Sequence, residues 1–233
     1  MSSAPKPQPV AFFDIDGTLF RSSLLIALVE QLIEEGIFAP DIQDIYNQAF
    51  VDWQNREGTY EAYIDAVVRA YVSSIKGVHY GDFADVGRRV VSVQGRRVYR
   101  YTRDLISSLK QDGYFLVAIS QSPKTILDEF CSGYGFDKVY GRFYEIGPQD
   151  RFTGVVTDEH LIQNKANIVN RVLQDDSLDR HNSLAVGDTD SDIPLLESVT
   201  TPICFNPNQK LYTHAKRCDW QVVVERKDVI YTL

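Results

Sequence analysis

The fold is predicted first by residues 10–19, VAFFDIDGTL, in which an apolar run ends at two alternating aspartates. In a β-strand, side chains two positions apart lie on the same side, so Asp14 and Asp16 should point together. Ligands of open α/β sheets bind at the carboxyl ends of the strands, where both carboxylates would lie. Gly17 permits a tight turn out of this strand. A strand that simply ends in an acidic turn is the alternative interpretation.

The composition is that of a globular protein. The 233 residues are 44% hydrophobic and 24% charged, which is enough for a core and one or two domains. A net charge of -8 argues against a partner such as nucleic acid, which would require a basic face. No apolar run approaches the roughly 18 residues of a membrane span, so no membrane association is expected.

Two further expectations concern the cysteines and the first residues. The three cysteines lack metal-ligand spacing and are predicted to be reduced thiols, which favours a cytoplasmic location. Residues 1–9 are rich in Pro and Ser and are predicted to form a disordered leader.

Residues 21–95 are predicted to be almost entirely helical. Apolar residues recur at helical spacing in segments that short connections join, as in a small bundle. One serine of the pair Ser22-Ser23 is the expected N-cap of the first helix, and Gly36 is its expected end. The aromatic residues of this region are expected to form mainly the bundle core, although they could line a substrate pocket; they are Phe50, Trp53, Tyr60, Tyr63 and Tyr71.

Strands and helices alternate in the rest of the chain. This alternation predicts an α/β fold with a parallel, doubly wound, Rossmann-like sheet formed by residues 10–20 and 96–233. The helical residues 21–95 would then be an inserted, all-helical cap domain. Residues 139–144 and 152–156, which the turn at residues 147–148 separates, are expected to form a hairpin or two short strands, and residues 220–224 are expected to be the last strand.

Polar side chains follow the ends of several predicted strands, which share one edge of a doubly wound sheet. Asp188 would leave its strand toward this edge, and Asp192 lies four residues on, at the first turn of a helix. Helix N-capping is the alternative role for Asp192. Lys165 opens a helix that could dock beside them. The residues at the strand ends are Asp14, Asp16, Ser120, Asp188, Asp192 and Asn206.

These residue types fit phosphoryl transfer. Close carboxylates stay ionised only beside a positive charge, and Mg²⁺ prefers oxygen ligands. Asp14 would attack phosphorus and form an aspartyl-phosphate, while Asp16 would protonate the leaving oxygen and then activate water. Ser120 would donate a hydrogen bond to the phosphate, Lys165 would neutralise it, and Thr18 would add a hydroxyl group.

The sequence resembles the haloacid dehalogenase (HAD) superfamily. Residues 14–18, DIDGT, resemble the family's first motif, and the second, third and fourth motifs are matched by Ser120, Lys165 and residues 187–192 in the family's order. A second aspartate in the first motif is typical of the phosphatase branch.

The resemblance also implies a ligand set for the metal. It places Mg²⁺ between the side chains of Asp14 and Asp188 and the backbone carbonyl of Asp16, with Asp192 assisting.

The helical insert is similar to the cap of the phosphoserine phosphatase-like subfamily, and so are residues 205–211. Where that subfamily carries a substrate-reading glutamate and a Ser-Gly-Gly stretch, this chain has Ser23 and residues 120–122, SQS, which argues against phosphoserine as the substrate. Ser23, Gln121 and Asn206 are candidate contacts to substrate or phosphate.

The activity implied by the resemblance is the Mg²⁺-dependent hydrolysis of a small-molecule phosphate monoester, such as histidinol phosphate or a related compound. The alternatives are a phosphotransferase that uses an acceptor alcohol and a non-catalytic binding protein on the HAD scaffold.

Overall fold

The computed structural model describes residues 7–157, 162 and 164–233. Within these residues, eight strands form a single sheet. In chain order the strands are β1 (Gln8–Asp14), β2 (Phe115–Pro123), β3 (Lys138–Ile146), β4 (Phe152–Thr157), β5 (Leu178–Gly187), β6 (Thr201–Phe205), β7 (Gln221–Arg226) and β8 (Val229–Thr232).

The strand order across the sheet is β4-β3-β2-β1-β5-β6-β7-β8. All neighbouring strands from β3 to β7 are parallel, whereas β4 and β8 pair antiparallel at the two edges. The predicted Rossmann-like α/β fold is therefore confirmed. The prediction that residues 220–224 form the last strand is wrong, because β8 turns back through Lys227 in a left-handed conformation and extends the edge.

The helices flank the sheet or lie in the insert between β1 and β2. Those of the insert are α1 (Leu24–Glu34), α2 (Asp44–Gln54), α3 (Tyr60–Ser74) and α4 (Tyr80–Gln94). The remaining helices are α5 (Arg100–Gln111), α6 (Lys124–Ser132), α7 (Lys165–Val172), α8 (Ile193–Leu196) and α9 (Gln209–Cys218).

The central strand β1 is buried on both faces because its side chains alternate between two cores. Ala11 and Phe13 pack in the core that includes α5, α6 and the helical insert, whereas Val10 and Phe12 pack against α7, α8 and α9. Helices on both faces of a mostly parallel sheet are what the doubly wound prediction requires.

The insert leaves and rejoins the sheet domain at one place. The Arg21 amide donates to the Arg97 carbonyl at 2.9 Å, and the Tyr99 amide donates to the Leu19 carbonyl at 3.0 Å. The predicted cap boundaries at residues 20/21 and 95/96 fall at this paired connection. No helix in the described part of the chain is long and apolar enough to cross a membrane.

The start of the insert follows the sequence prediction. The Ser23 hydroxyl caps α1 by accepting a hydrogen bond from the Leu25 amide at 3.2 Å. Gly36, which follows the helix, has a φ of 70°.

Of the predicted leader, residues 1–6 lie outside the described residues. Gln8 and Pro9 belong to β1, so the predicted leader extends too far toward the C-terminus.

Candidate active site

The carboxyl ends of β1, β2 and β5 meet at one edge of the sheet. Asp14, the last residue of β1, is paired in register with Ile119 of β2 and is only 5% exposed. Phe13 is paired with Val186 of β5. The topology thus places the polar residues after these strands around a buried aspartate, as the sequence predicts.

Lys165 lies at the first turn of α7 and enters this site. Asn164 caps the helix by accepting a hydrogen bond from the Ala166 amide at 3.0 Å. The buried Lys165 ammonium donates to Asp14 Oδ1 at 2.5 Å and to Asp192 Oδ1 at 2.6 Å. Burial alone would lower the pKa of Lys165, but the two carboxylates raise it above its usual value. The side chain is therefore a fixed ammonium at the site.

Asp192 is the third residue of the turn that begins after Thr189, and its side chain completes a capping box there. One of its oxygens contacts Lys165, while Oδ2 accepts hydrogen bonds from the backbone amides of Asp188 and Thr189, each at 3.0 Å. Gly187 is needed beneath it, because a Cβ at that position would collide with the Asp192 side chain. Capping thus holds the carboxylate toward the ammonium.

Three carboxylates converge without enough positive charge to balance them. Asp14, Asp188 and Asp192 each offer one oxygen within 4.8 Å of the others, and Lys165 is the ammonium that contacts two of them. Burial raises the pKa of Asp14 to about 7, and burial together with the charge of Asp14 raises the pKa of Asp188. Asp14 Oδ2 is buried and has no hydrogen-bond partner in the described structure. This donor set fits a hard divalent cation.

Asp16 is held apart from this cluster by a different set of donors. Its Oδ1 accepts a hydrogen bond from the Leu24 amide at 2.6 Å, and its Oδ2 accepts from the hydroxyl groups of Ser120 and, at 2.9 Å, Ser122. The Asp16 side chain is thus not one of the three clustered carboxylates. Ser120, which is predicted to bind phosphate, donates a hydrogen bond to this carboxylate.

Ser122 is not among the site residues predicted from the sequence. Its place was predictable in principle, because Ser120 and Ser122 are two positions apart and share one side of a strand. The apolar run of residues 114–119 predicts a strand that ends before Ser120, whereas β2 continues to Pro123. The shorter predicted strand leaves out the alternation that identifies the second hydroxyl group.

Of the other residues predicted to contact substrate or phosphate, one binds a carboxylate of the cluster, and the rest form hydrogen bonds outside the cluster. Thr18 is buried, and its hydroxyl donates to Asp188 Oδ1 at 3.1 Å. Gln121 is exposed and accepts a hydrogen bond from Arg142 at 2.9 Å. Asn206 Oδ1 accepts from the Glu225 amide at 2.9 Å, and Ser23 caps α1. Of these residues, Thr18 lies in the site, where its hydroxyl group holds the Asp188 carboxylate.

A cleft of about 570 Å³ adjoins the paired connection between the insert and the sheet domain. Burial raises the pKa of Tyr60 in this cleft, and the negative charges of Asp16 and Asp188 raise it further, so the phenol lies within electrostatic reach of the site. Four of the aromatic residues expected mainly in the bundle core line the cleft, whereas Tyr71 is fully buried; the four are Phe50, Trp53, Tyr60 and Tyr63.

The profile of the haloacid dehalogenase-like hydrolase family matches residues 11–197 of the chain. The protein belongs to this family, and the prediction of a HAD-like enzyme is confirmed.

Individual relatives agree with this membership. A histidinol-phosphatase from Neisseria meningitidis serogroup C (strain 8013) is 25% identical over 220 residues, which cover 92% of this chain and 97% of the relative. A solved protein of unknown function from Bordetella pertussis Tohama I has a TM-score of 0.73 at 21% identity, over 93% of this chain and 98% of its own. A solved phospho-aspartyl intermediate analogue of phosphoserine phosphatase has a TM-score of 0.62 at 18% identity, over 96% of each chain. The two solved proteins share the fold.

Proposed function

We propose that the protein hydrolyses a small-molecule phosphate monoester through an aspartyl-phosphate formed on Asp14. The observation that carries the proposal is the different environment of the two carboxylate oxygens of Asp14. Its Oδ1 is bound to the Lys165 ammonium, while its buried Oδ2 has no hydrogen-bond partner in the described structure. An oxygen that is desolvated and unoccupied is suited to attack an electrophilic phosphorus. Family membership and the phosphatase relatives support the same chemistry.

The cofactor in this proposal is Mg²⁺. Asp14 and Asp188 would hold it with the backbone carbonyl of Asp16, and Asp192 would assist, as the family resemblance implies. The support from this chain is a set of three converging carboxylates with one ammonium among them, which leaves two negative charges to balance. When bound, the ion would reduce the repulsion between carboxylate and phosphate and stabilise the charge that develops during transfer.

The remaining roles follow from the contacts of the chain's own residues. Lys165 Nζ would keep Asp14 ionised and oriented, and would offer positive charge to the incoming phosphate. Asp16 would give a proton to the leaving oxygen and later take one from water. Ser120 and Ser122 position the Asp16 carboxylate through their hydroxyl groups.

The helical insert is assigned the role of a cap over this site. Residues 10–20 and 96–233 would form the catalytic core, and residues 21–95 would form the cap that selects the substrate and restricts water. The cleft beside Tyr60 supports this assignment, because cap helices and the connecting segments line it together. A cytoplasmic location is supported by cysteines that are all free: Cys131, Cys204 and Cys218.

The test is phosphate release from a panel of small phosphate monoesters, with Mg²⁺ and with a chelator, for the wild type and Asp14→Asn. We expect metal-dependent release that the substitution abolishes. Parallel reactions with added glycerol would reveal a phosphotransferase as glycerol phosphate. Full activity in Asp14→Asn would contradict the nucleophile assignment, and folded wild type that releases no phosphate would favour the non-catalytic alternative.

A further inference from the structure

The hydroxyl group of Tyr60 is an unused hydrogen-bond donor at the border between the insert and the candidate active site. Tyr60 is the first residue of α3, and Thr59 caps this helix by accepting a hydrogen bond from the Ala62 amide at 3.1 Å. Among the described residues, the Tyr60 hydroxyl group has no hydrogen-bond partner, and it is not sealed from solvent. It is therefore open to the cleft that the side chain lines.

The ring of Tyr60 is held in place by its neighbours in the insert. Its centroid lies 5.2 Å from that of Trp53 and 6.2 Å from that of Tyr63, against which it packs edge-on. The side chain is half-buried as a result. A ring that is packed in this way presents its hydroxyl group with little further loss of conformational entropy.

The first turn of α3 lies beside the loop that carries two of the clustered carboxylates. Glu61, the residue after Tyr60, has its Oε2 atom 3.9 Å from Lys210 Nζ, and this ammonium lies 3.1 Å from Asp190 Oδ2. In the sequence, Asp190 stands midway between Asp188 and Asp192. The ion pairs thus place Tyr60 at the cap side of the site, independently of the cleft.

The charges around the two neighbouring phenols agree with this position. Burial raises the pKa of Tyr60, and the charges of Asp16 and Asp188 raise it further, whereas the charge that raises the pKa of Tyr63 most is that of Glu30. Of the two hydroxyl groups, that of Tyr60 is therefore the one on the side of the catalytic carboxylates. It stays protonated there and can donate a hydrogen bond.

The hydroxyl groups of the sheet domain are already engaged at this site. Those of Ser120 and Ser122 donate to Asp16, and that of Thr18 donates to Asp188. A phosphate group adds three strong acceptor oxygens, each of which requires donors when it leaves water. An open donor on the cap side meets a need that these three hydroxyl groups do not.

We infer that Tyr60 contacts the substrate directly, by donating a hydrogen bond from its hydroxyl group to a non-bridging oxygen of the phosphate group. This inference rests on the proposed function, because it adds a catalytic residue to the same site. Every phosphate monoester carries this group, so the contact does not depend on the alcohol part. The insert thereby contributes to phosphate binding as well as to the choice of the alcohol.

The experiment compares two unrelated esters, p-nitrophenyl phosphate and glycerol 2-phosphate, on three proteins. These are the wild type, Tyr60→Phe and the control Tyr63→Phe, which removes a hydroxyl group from the same ring group on the side of Glu30. Both substitutions keep the phenyl ring and therefore its packing. Tyr60→Phe should lower kcat/KM about tenfold or more for both esters, because the lost hydrogen bond is to a charged group. Tyr63→Phe should stay within about twofold of the wild type. A loss confined to one ester, or equal losses in the two variants, would overturn the contact to phosphate.

Binding without turnover separates this inference from the proposed function. Calorimetric titration of inorganic phosphate, with Mg²⁺ present, should show a Kd that rises about tenfold in Tyr60→Phe and changes less than about twofold in Tyr63→Phe. An unchanged Kd in Tyr60→Phe, or phosphate that fails to bind the wild type, would overturn the inference. Absence of phosphate release from every ester would overturn the proposed function, while the titration would still decide for or against the contact of Tyr60.

Discussion

Replacement of Lys165 by methionine should destabilise the protein strongly above neutral pH. The Lys165 ammonium contacts both Asp14 and Asp192, at 2.5 and 2.6 Å, and all three side chains are buried. Removing one partner of a buried ion pair costs about 3–5 kcal/mol, because the remaining charge stays buried without compensation. In a chain of this size, 1 kcal/mol corresponds to about 2–4 °C, so the melting temperature should fall on the order of 10 °C.

The loss should shrink as the pH falls. Burial raises the pKa of Asp14 from 3.8 to about 7, and the variant lacks the ammonium that opposes this shift. A carboxyl group whose pKa is higher in the folded state stabilises the fold below its unfolded pKa and loses that contribution as pH rises through the folded value. The difference in stability between the variant and the wild type should therefore be smaller near about pH 5 than above pH 7.

The assay is thermal unfolding followed by circular dichroism across this pH range, with a chelator present so that no divalent cation replaces the lost charge. Lys210→Met is the matched control, because Lys210 pairs with Asp190 at 3.1 Å and Glu61 at 3.9 Å on an exposed surface. Exposed pairs of this kind contribute about 0–1 kcal/mol. If Lys165→Met melted at the same temperature as Lys210→Met at pH 8, the argument from buried charge would be refuted.

Two further predictions concern the proposed metal site and Asp16, the proposed proton donor, to which Ser122 donates a hydrogen bond. Mg²⁺ at a hundred times its dissociation constant should stabilise the folded protein by about 2.7 kcal/mol, because the carboxylates converge only in the folded state. Asp188→Asn should abolish the resulting rise in melting temperature, and a rise that survived would move the metal elsewhere. Ser122→Ala should lower kcat at least about tenfold with little change in KM, because a hydrogen bond to a charged group contributes about 1.5–3 kcal/mol. Ser122→Thr should restore part of the rate, and steady-state kinetics in which alanine and threonine behave alike would contradict the positioning role.

The sequence predicted the fold and the core of the site for a physical reason. Residues 10–13 are an uninterrupted apolar run that a strand covered on both faces can bury, and the alternation after residue 96 leaves few other topologies. Once the strands are parallel, their carboxyl ends share one edge, so Asp14 and Asp188 must approach each other. Lys165 follows because the helix that it opens docks beside that edge.

The features that the sequence does not predict depend on which side chains pack together in three dimensions, rather than on the spacing of apolar residues along the chain. The cleft beside Tyr60 is an example, because its aromatic rings come from α2 and α3, which are brought together only by the packing of the bundle. The antiparallel β8 was missed for a similar reason, since it is short and largely exposed and carries little apolar pattern.

The paired connection at residues 19–21 and 97–99 has a consequence for how such a protein can change. Because the Arg21 amide and the Arg97 carbonyl are 2.9 Å apart, the chain leaves and re-enters the catalytic scaffold at nearly the same point. A segment with adjoining ends can be lengthened, shortened or exchanged without moving either flanking strand. The helices α1 to α4 can thus be exchanged as one module, provided that the new segment still offers a backbone amide to Asp16, as Leu24 does.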